Sequence, residues 1–256
     1  MDFWSKLQLE GRLNEEKFKK GEKKMKKSLG IFVVLFVVLA FCTVAISGTI
    51  GNPNATVQNK KVVFEFDTDF TNRDIDIEGA SVHEMDSSRF LVKGTYGLET
   101  KLAPLNLYAK LGMANVENDE AGYEFDGDYG MAYQLGMKAT VYEMTNMQVG
   151  VGLQYLSYSS EETELSVTTE IDSSEIDLYA GTSYTGLGKV VPYGGLHLSM
   201  VDGETSSGGL STDFEQDDSV GLFMGADLGI SDQFRGGAEV RLVSETSFSV
   251  NLSYLF

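Results

Sequence analysis

The sequence predicts an all-β fold, an antiparallel up-and-down β-barrel of about ten strands with eight as the alternative. From Lys61 onward the chain shows no helical period, and stretches of roughly ten residues alternate apolar and polar side chains. The 256 residues include 28 Gly, 12 Tyr and 15 Phe but only 3 Pro, which favours many strands over low-complexity disorder. The polar connections between the stretches alternate between short and long. These three observations predict the fold class.

Composition excludes several classes of protein. A single Cys excludes a disulfide framework and a CxxC-type metal or redox site. The formal net charge of −18 argues against nucleic acid as a partner, because phosphate binding needs basic patches. The hydrophobic fraction of 42% is too low for a bundle of membrane-spanning helices. It is compatible with a transmembrane β-barrel, whose strands are only half apolar.

Residues 1–47 are predicted to be an amino-terminal extension and a signal peptide. A basic stretch ends at Lys27, and an apolar run follows from Leu29 to Ile46. Ala45 and Ser47 then provide small residues at positions −3 and −1 of a cleavage before Gly48. The predicted mature chain consists of a short polar linker, residues 48–60, and a barrel domain, residues 61–256.

The amino-terminal region has two other interpretations. Cys42 follows a lipoprotein-like stretch, but a lipoprotein site needs a small residue before the Cys and Phe41 is large. The 18 apolar residues could also just span a bilayer as an uncleaved anchor. The start codon is open between Met1 and Met25, because Met25 would begin a signal peptide of ordinary length.

Ten segments carry the alternating pattern. In the clearest one, Phe90, Val92 and Leu98 share the apolar face, whereas Lys93 and Lys101 lie on the polar face. The segments are 61–67, 89–102, 105–116, 129–142, 147–158, 175–185, 190–201, 219–230, 234–243 and 246–256. The long connections between them are 68–88, 115–128, 159–174 and 202–218.

Alternation alone fits a soluble, lipocalin-like barrel as well as a membrane barrel, since the two differ only in which face meets water. The short and long connections favour the membrane barrel, which has short turns at one end and long loops at the other. Aromatic side chains on the apolar face also cluster near both strand ends, as expected at membrane interfaces. One cluster is Phe90, Tyr133, Tyr155 and Phe248, and the other is Tyr184, Phe234, Tyr254 and Phe256.

The last strand carries a resemblance. The terminal stretch SVNLSYLF alternates Phe248, Val250, Leu252, Tyr254 and Phe256 with polar residues. This stretch resembles the carboxy-terminal signal of outer-membrane barrels, which the barrel-assembly machinery recognises. Residues 61–256 as a whole resemble small OmpA/OmpX-like or opacity-type barrels. The resemblance implies a monomer in the outer membrane of a Gram-negative-type bacterium, with membrane lipid, lipopolysaccharide and the assembly machinery as partners.

The polar face of the strands is rich in charge, and we interpret it as an interior network of opposite charges, because unpaired buried charges are costly. A catalytic site is the competing interpretation, but His83 and His197 have no nucleophile motif around them. We therefore expect no enzymatic activity. The inward charged residues are predicted to be Lys93, Glu99, Lys101, Lys110, Lys138, Glu175, Asp177, His197, Asp227, Arg235, Glu239 and Arg241.

The long connections are acidic, which suggests solvation or loose association with Ca²⁺ or Mg²⁺, and no other cofactor is expected. Residues 74–79 resemble the start of an EF-hand loop, but Met85 replaces the Glu at position 12 and no helices flank the stretch. The weak metal-ligand candidates are Asp74, Asp76, Glu78, Asp126 and Asp128.

The sequence therefore predicts a structural or surface-presenting barrel with long acidic loops. A narrow passive channel for small solutes or ions is the first alternative, and an anchored lipocalin-like ligand-binding barrel is the second. Ten strands lie near the limit at which side chains fill the interior, so we expect a plugged lumen. The inward aromatic residues are predicted to be Tyr108, Tyr142, Tyr158, Tyr179, Tyr193 and Phe223.

Overall fold

The computed structural model describes residues 49–77, 83–118, 124–216 and 219–256, so the predicted signal peptide, Cys42 and Glu78 lie outside the described residues. These ranges contain twelve strands and no helix that is long and apolar enough to cross a membrane. The strands are β1 (Val62–Ile77), β2 (His83–Glu99), β3 (Pro104–Asn118), β4 (Phe125–Asp126), β5 (Asp128–Met144), β6 (Met147–Glu164), β7 (Val167–Tyr184), β8 (Val190–Ser207), β9 (Leu210–Gln216), β10 (Val220–Gly229), β11 (Phe234–Leu242) and β12 (Thr246–Leu255).

Ten of these strands close into an antiparallel ring, in the order β1-β2-β3-β5-β6-β7-β8-β10-β11-β12. The ring closes where β12 pairs with β1, from Val63 opposite Leu255 to Asn72 opposite Thr246. Strands β4 and β9 only prolong the wall, because β4 pairs with β3 and β9 pairs with β8 and the end of β1. The prediction of an up-and-down barrel of about ten strands is confirmed.

The predicted long loops were wrong in extent, because the strands continue into them. Strands β6 and β7 pair without interruption up to Glu164 opposite Val167, and β8 and β9 pair up to Ser207 opposite Leu210. Each hairpin closes in two residues, with positive φ at Leu165 and Ser166 and at Gly208 and Gly209. Such φ values define the tight turns that match the twist of paired strands. What the sequence suggested as loops is largely strand that extends the barrel wall.

The two ends of the barrel differ. We call the end with Lys61, Phe256 and the turns 100–103, 145–146, 185–189 and 230–233 the terminal end, and the opposite end the hairpin end. Near the terminal end, Phe64 and Phe66 of β1 face outward and are half exposed. Near the hairpin end, Asp74 and Asp76 face outward instead, and Ile75 is buried inside. The apolar side of the sheet thus changes from the outside to the inside along one strand.

Glycines inside the barrel make room for aromatic rings from the neighbouring strand. Tyr179 pairs with Gly152, and a Cβ on Gly152 would lie 2.2 Å from the Tyr179 Cζ. Tyr108 packs on its cross-strand partner Gly136 in the same way, since a Cβ on Gly136 would lie 2.3 Å from the Tyr108 Cζ. The same pairing joins Tyr193 to Gly225, Phe223 to Gly195 and Phe214 to Gly203. These pairs pin the register of the barrel by packing each ring onto a bare backbone.

We expect Gly152→Val to destabilise the barrel by about 1–3 kcal/mol, because the new side chain must displace the Tyr179 ring from a packed interior. Gly94→Val is the matched control, since Gly94 faces outward and a Cβ there meets only Phe64, at 3.6 Å. Urea titration of the refolded proteins in lipid vesicles measures the free energy of unfolding of both variants. Equal stabilities for the two variants would contradict the packing of Tyr179 on Gly152.

Candidate functional site

Residues 49–58 form what we call the plug, which runs from the terminal end into the interior of the barrel. Thr49, Ile50 and Asn54 are each at most 1% exposed, whereas Gln58, Asn59 and Lys60 are exposed at the terminal end. The segment therefore enters the lumen at the terminal end and reaches its deepest described point at Thr49. Most of the described part of the stretch predicted as a polar linker therefore occupies the interior of the barrel.

Barrel side chains hold the main chain of the plug. The Glu239 carboxylate accepts hydrogen bonds from the backbone N–H of Ile50 at 2.8 Å and of Gly51 at 2.9 Å. Asn106 accepts from the N–H of Val57 and donates to its carbonyl, both at 2.9 Å. Further main-chain contacts run from the Lys110 Nζ to the Thr49 carbonyl, from the Lys138 Nζ to the Asn52 carbonyl and from the Ala55 N–H to the Thr140 hydroxyl. The wall thus recognises the plug mainly through its backbone.

The plug also fits the lumen by shape. The Ile50 side chain packs into a buried cluster with Tyr179, Tyr193 and Phe223. Wall glycines let the plug backbone approach closely, because a Cβ on Gly97 would lie 2.1 Å from the Gln58 carbonyl oxygen and one on Gly150 would lie 2.3 Å from that of Pro53. The chain's own residues therefore occupy the space beside these inward glycines.

A buried ionic layer lies beyond the plug. Glu175 is its centre: its carboxylate lies 3.0 Å from the Arg73 guanidinium, 3.3 Å from that of Arg89 and 3.6 Å from that of Arg241. Glu245 bridges Arg73 at 2.8 Å and Arg241 at 2.9 Å. Asp69 binds Arg89 at 2.8 Å, and Asp177 lies 3.5 Å from Arg241. All of these side chains are at most 1% exposed, so three guanidinium groups and four carboxylates pair with one another inside the barrel.

An apolar cap fills the interior at the hairpin end. The cap consists of Ile75, Met85, Leu91, Ala114, Val116, Phe125, Ala132, Leu156, Tyr158, Ile171 and Phe214, all buried. It contacts the ionic layer, because the Arg89 guanidinium lies 5.4 Å from the centre of the Tyr158 ring. Along β7 the inward residues pass in order from Ser183, which binds Asn54 of the plug, through Tyr179 and Glu175 to Ile171. Plug, aromatic residues, ionic layer and cap thus follow one another through the lumen.

His197 has neighbours that its sequence context did not reveal. Its Nδ1 lies 3.8 Å from the Asp177 carboxylate. Its Nε2 and the Ser244 hydroxyl both border the space above Gly221, where a Cβ would lie 2.2 Å from the first and 2.4 Å from the second. His197, Asp177 and Ser244 resemble a catalytic triad in composition, but all three side chains are buried between the aromatic residues and the cap.

The structure separates the predicted metal-ligand candidates. Asp74 and Asp76 project outward from β1, Asp126 belongs to β4 and Asp128 begins β5. Within the described ranges, no group of three or more His, Cys, Asp or Glu is arranged to hold a metal ion. The residues 74–77 form a strand, so the described part of the EF-hand-like stretch is not a loop.

Exposed charge is segregated between the two ends. Six of the Lys and Arg side chains in the described ranges are buried or lie inside the barrel, and the other five are exposed at the terminal end: Lys60, Lys61, Lys101, Lys189 and Arg235. The outward charges of the hairpin end are carboxylates. Several of these carboxylates are direct cross-strand neighbours, including Asp172, Glu204 and Asp213 in one row. They border an open concavity of about 910 Å³.

Sequence reasoning placed most of the interior charges but not all. Glu99, Lys101 and Arg235 are exposed at the rim rather than inside, and Tyr142 is exposed after a shift in register between Thr140 and Tyr142. Several interior residues were missed, namely Glu65, Asp67, Asp69, Arg73 and Glu245. The sequence of β1 does indicate an inward polar face, because the odd-numbered positions from 65 to 73 are all polar.

Residues 102–256, more than half of the chain, match the family model described as an outer membrane protein beta-barrel domain. The chain belongs to this family of Gram-negative outer-membrane proteins. A comparison with curated protein sequences finds no match.

Solved structures of similar fold include an outer membrane channel from Pseudomonas putida F1, at 12% identity and a TM-score of 0.48, with 82% of this chain and 99% of that chain covered. The translocator domain of the autotransporter NalP from Neisseria meningitidis is 12% identical with a TM-score of 0.46, covering 79% and 91% of the two chains. Ail, the attachment invasion locus protein of Yersinia pestis, is 10% identical with a TM-score of 0.36, and the match covers 78% of this chain and 100% of that chain.

Proposed function

We propose that this protein is a closed outer-membrane barrel that presents its acidic hairpin end at the cell surface and has no catalytic role. The observation that carries the proposal is the filled interior, in which the plug, the ionic layer and the apolar cap occupy successive levels. The acidic surface at the hairpin end suits contact with cations or cationic partners, and loose binding of Ca²⁺ or Mg²⁺ is part of the proposal. Outward, exposed apolar side chains such as Phe66, Leu107, Leu111 and Leu135 form what we call the apolar band. This band is proposed to contact membrane lipid and lipopolysaccharide, with the protein as a monomer.

Cysteine labelling on intact cells tests which end is presented. Leu165→Cys lies at the β6–β7 turn, where Leu165 is 93% exposed, and Lys189→Cys lies at the terminal end. A membrane-impermeant maleimide should label the first variant on intact cells and the second only after the outer membrane is permeabilised. The unmodified protein controls for Cys42. Labelling of Lys189→Cys alone on intact cells would contradict the proposed orientation.

A narrow channel is the second candidate function. It is favoured by a cavity of about 60 Å³ between the plug and the wall at the terminal end, bordered by Glu65, Lys93, Lys138, Asp227 and Arg235. A void of this size holds a few water molecules. In the channel hypothesis this void would be part of an ion path.

We predict that the mature chain begins at Gly48 and carries no lipid on Cys42. The prediction rests on Ala45 and Ser47, which provide the small residues at positions −3 and −1 of a cleavage before Gly48. Amino-terminal sequencing and mass spectrometry of protein from outer membranes measure this. A chain that retains residues 1–40, or a diacylated Cys42, would refute the prediction.

Deleting Phe256 is expected to lower the yield of folded barrel in cells more than it lowers refolding into detergent. Phe256 follows β12 and packs edge-on against Phe64 and Tyr254, with ring centres 5.7 and 4.7 Å apart. If an assembly partner binds the terminal strand by strand pairing, folding in cells depends on that binding, whereas refolding into detergent does not. Phe64→Ala is the control, because it removes a ring contact but leaves Phe248, Val250, Leu252, Tyr254 and Phe256 intact. Equal losses in both settings for the deletion would contradict a recognition role.

A further inference from the structure

The contacts of the plug have the character of ligand recognition. Five wall residues make seven hydrogen bonds to main-chain atoms of the plug, and these wall residues are Asn106, Lys110, Lys138, Thr140 and Glu239. Main-chain contacts of this kind recognise the backbone of a peptide largely irrespective of its side chains.

Three features add selectivity for a particular peptide, the first being the buried Asn54 side chain, which donates to the Ser183 hydroxyl at 2.8 Å. The Ile50 side chain is 1% exposed in its pocket of Tyr179, Tyr193 and Phe223. The next residue, Gly51, has a φ of +73°, a conformation that side-chain-bearing residues rarely adopt. The site therefore suits a branched aliphatic residue followed by glycine.

The wall is shaped for this occupant independently of the hydrogen bonds. Gly97 and Gly150 lie against plug carbonyl oxygens, and a Cβ on Gly181 would lie 3.1 Å from the Pro53 Cγ. The exposed residues Asn59 and Lys60 join the plug to β1. The plug is not one of the strands and forms no β-ladder with the ring.

We propose that the terminal half of the lumen is a binding site for a bent, non-helical peptide segment, which the chain's own residues 49–58 occupy and which the same peptide can occupy when supplied separately. The ligand class is a short peptide with an aliphatic–glycine pair near its amino end and bends two to three residues after that pair. The barrel wall, rather than the covalent link to β1, supplies the recognition.

The test separates the plug from the barrel after folding. A site-specific protease sequence inserted after Asn59 lets the full chain fold first and be cut afterwards. The cut barrel is then passed through gel filtration in detergent, and the retained peptide is quantified by mass spectrometry. A fluorescent peptide of residues 49–58 is added to barrels that have lost theirs, and binding is followed by anisotropy.

The cut plug should stay bound, and the free peptide should rebind while the barrel keeps its heat-modifiable folded form. In Glu239→Ala the affinity should fall about tenfold or more, because two hydrogen bonds to a charged acceptor are lost. Asp232→Ala, which removes an exposed acid at the same end, controls for general electrostatics. A peptide with Ile50→Asn should bind more weakly than the native peptide. Failure of the free peptide to rebind, equal binding of a scrambled peptide, or unfolding of the barrel on loss of the plug would each overturn the proposal.

Discussion

Glu175→Ala is expected to destabilise the folded barrel by about 3–5 kcal/mol, the range for removing one partner of a buried ion pair. The Glu175 carboxylate lies within 3.6 Å of three guanidinium groups. Its removal takes one carboxylate partner from each of the buried residues Arg73, Arg89 and Arg241. Urea titration in lipid vesicles, followed by heat modifiability on a gel, measures the free energy of unfolding.

Asp172→Ala is the matched control for this prediction. Asp172 belongs to the same strand but is exposed, and its direct cross-strand neighbour is Glu204, so no loss of stability is expected. Glu175→Gln should fall between the two, because it keeps the shape of the side chain and removes only the charge. If Glu175→Ala costs no more than Asp172→Ala, the ionic layer does not form as described.

Leu135→Arg should destabilise the barrel by about 2–4 kcal/mol, the cost of placing Arg near the middle of the lipid-facing surface of a transmembrane barrel. Leu135 is 57% exposed on the outward face of β5, between residues of the apolar band. The expectation extends to Leu107 and Leu111, which also face outward and are 41% and 65% exposed.

Leu165→Arg makes the same chemical change outside the band, at the tip of the β6–β7 hairpin. Leu165 is more exposed than Leu135, at 93%, yet the substitution should change stability by less than about 0.5 kcal/mol because water surrounds the tip. Unfolding in vesicles compares the two variants directly. Equal small effects would mean that water rather than lipid surrounds Leu135, as in a soluble barrel.

Strand number and facing could be predicted from the sequence because lipid and water impose a simple alternation. In β5, Leu135 and Met137 face outward, whereas Gln134 and Lys138 are buried inside, as the pattern indicated. The carboxy-terminal strand was placed correctly for the same reason. Where one face meets hydrocarbon, a slip of one residue would expose the wrong face, so the pattern is strongly constrained.

The outer half of the strands could not be predicted because the alternation changes phase. Beyond the band, water surrounds the wall and the interior becomes the apolar side, so Ile75 and Ile171 point inward where Phe66 and Ile176 point outward. On β1, the apolar and polar alternation that the sequence shows therefore ends at Asp67, and the residues after it resemble a loop. Polar strands with paired backbones look the same as loops in composition.

The plug escaped prediction for a different reason. Residues 49–58 show neither a helical nor a strand period, and their polar composition is typical of a linker. Their partners, such as Glu239 and Asn106, are distant in sequence and come together only when the ring closes. The glycines that admit the plug were visible in the sequence, but the occupant was not.

Single-channel recording in a planar bilayer tests the closed-barrel account most directly. The mature protein should give no conductance steps above baseline, with a known porin in the same bilayer as the positive control. A variant lacking residues 49–57 should also remain silent, provided that it folds, because the ionic layer and the apolar cap still fill the lumen. Steady ohmic steps from the mature wild-type protein would contradict the account and favour the narrow channel.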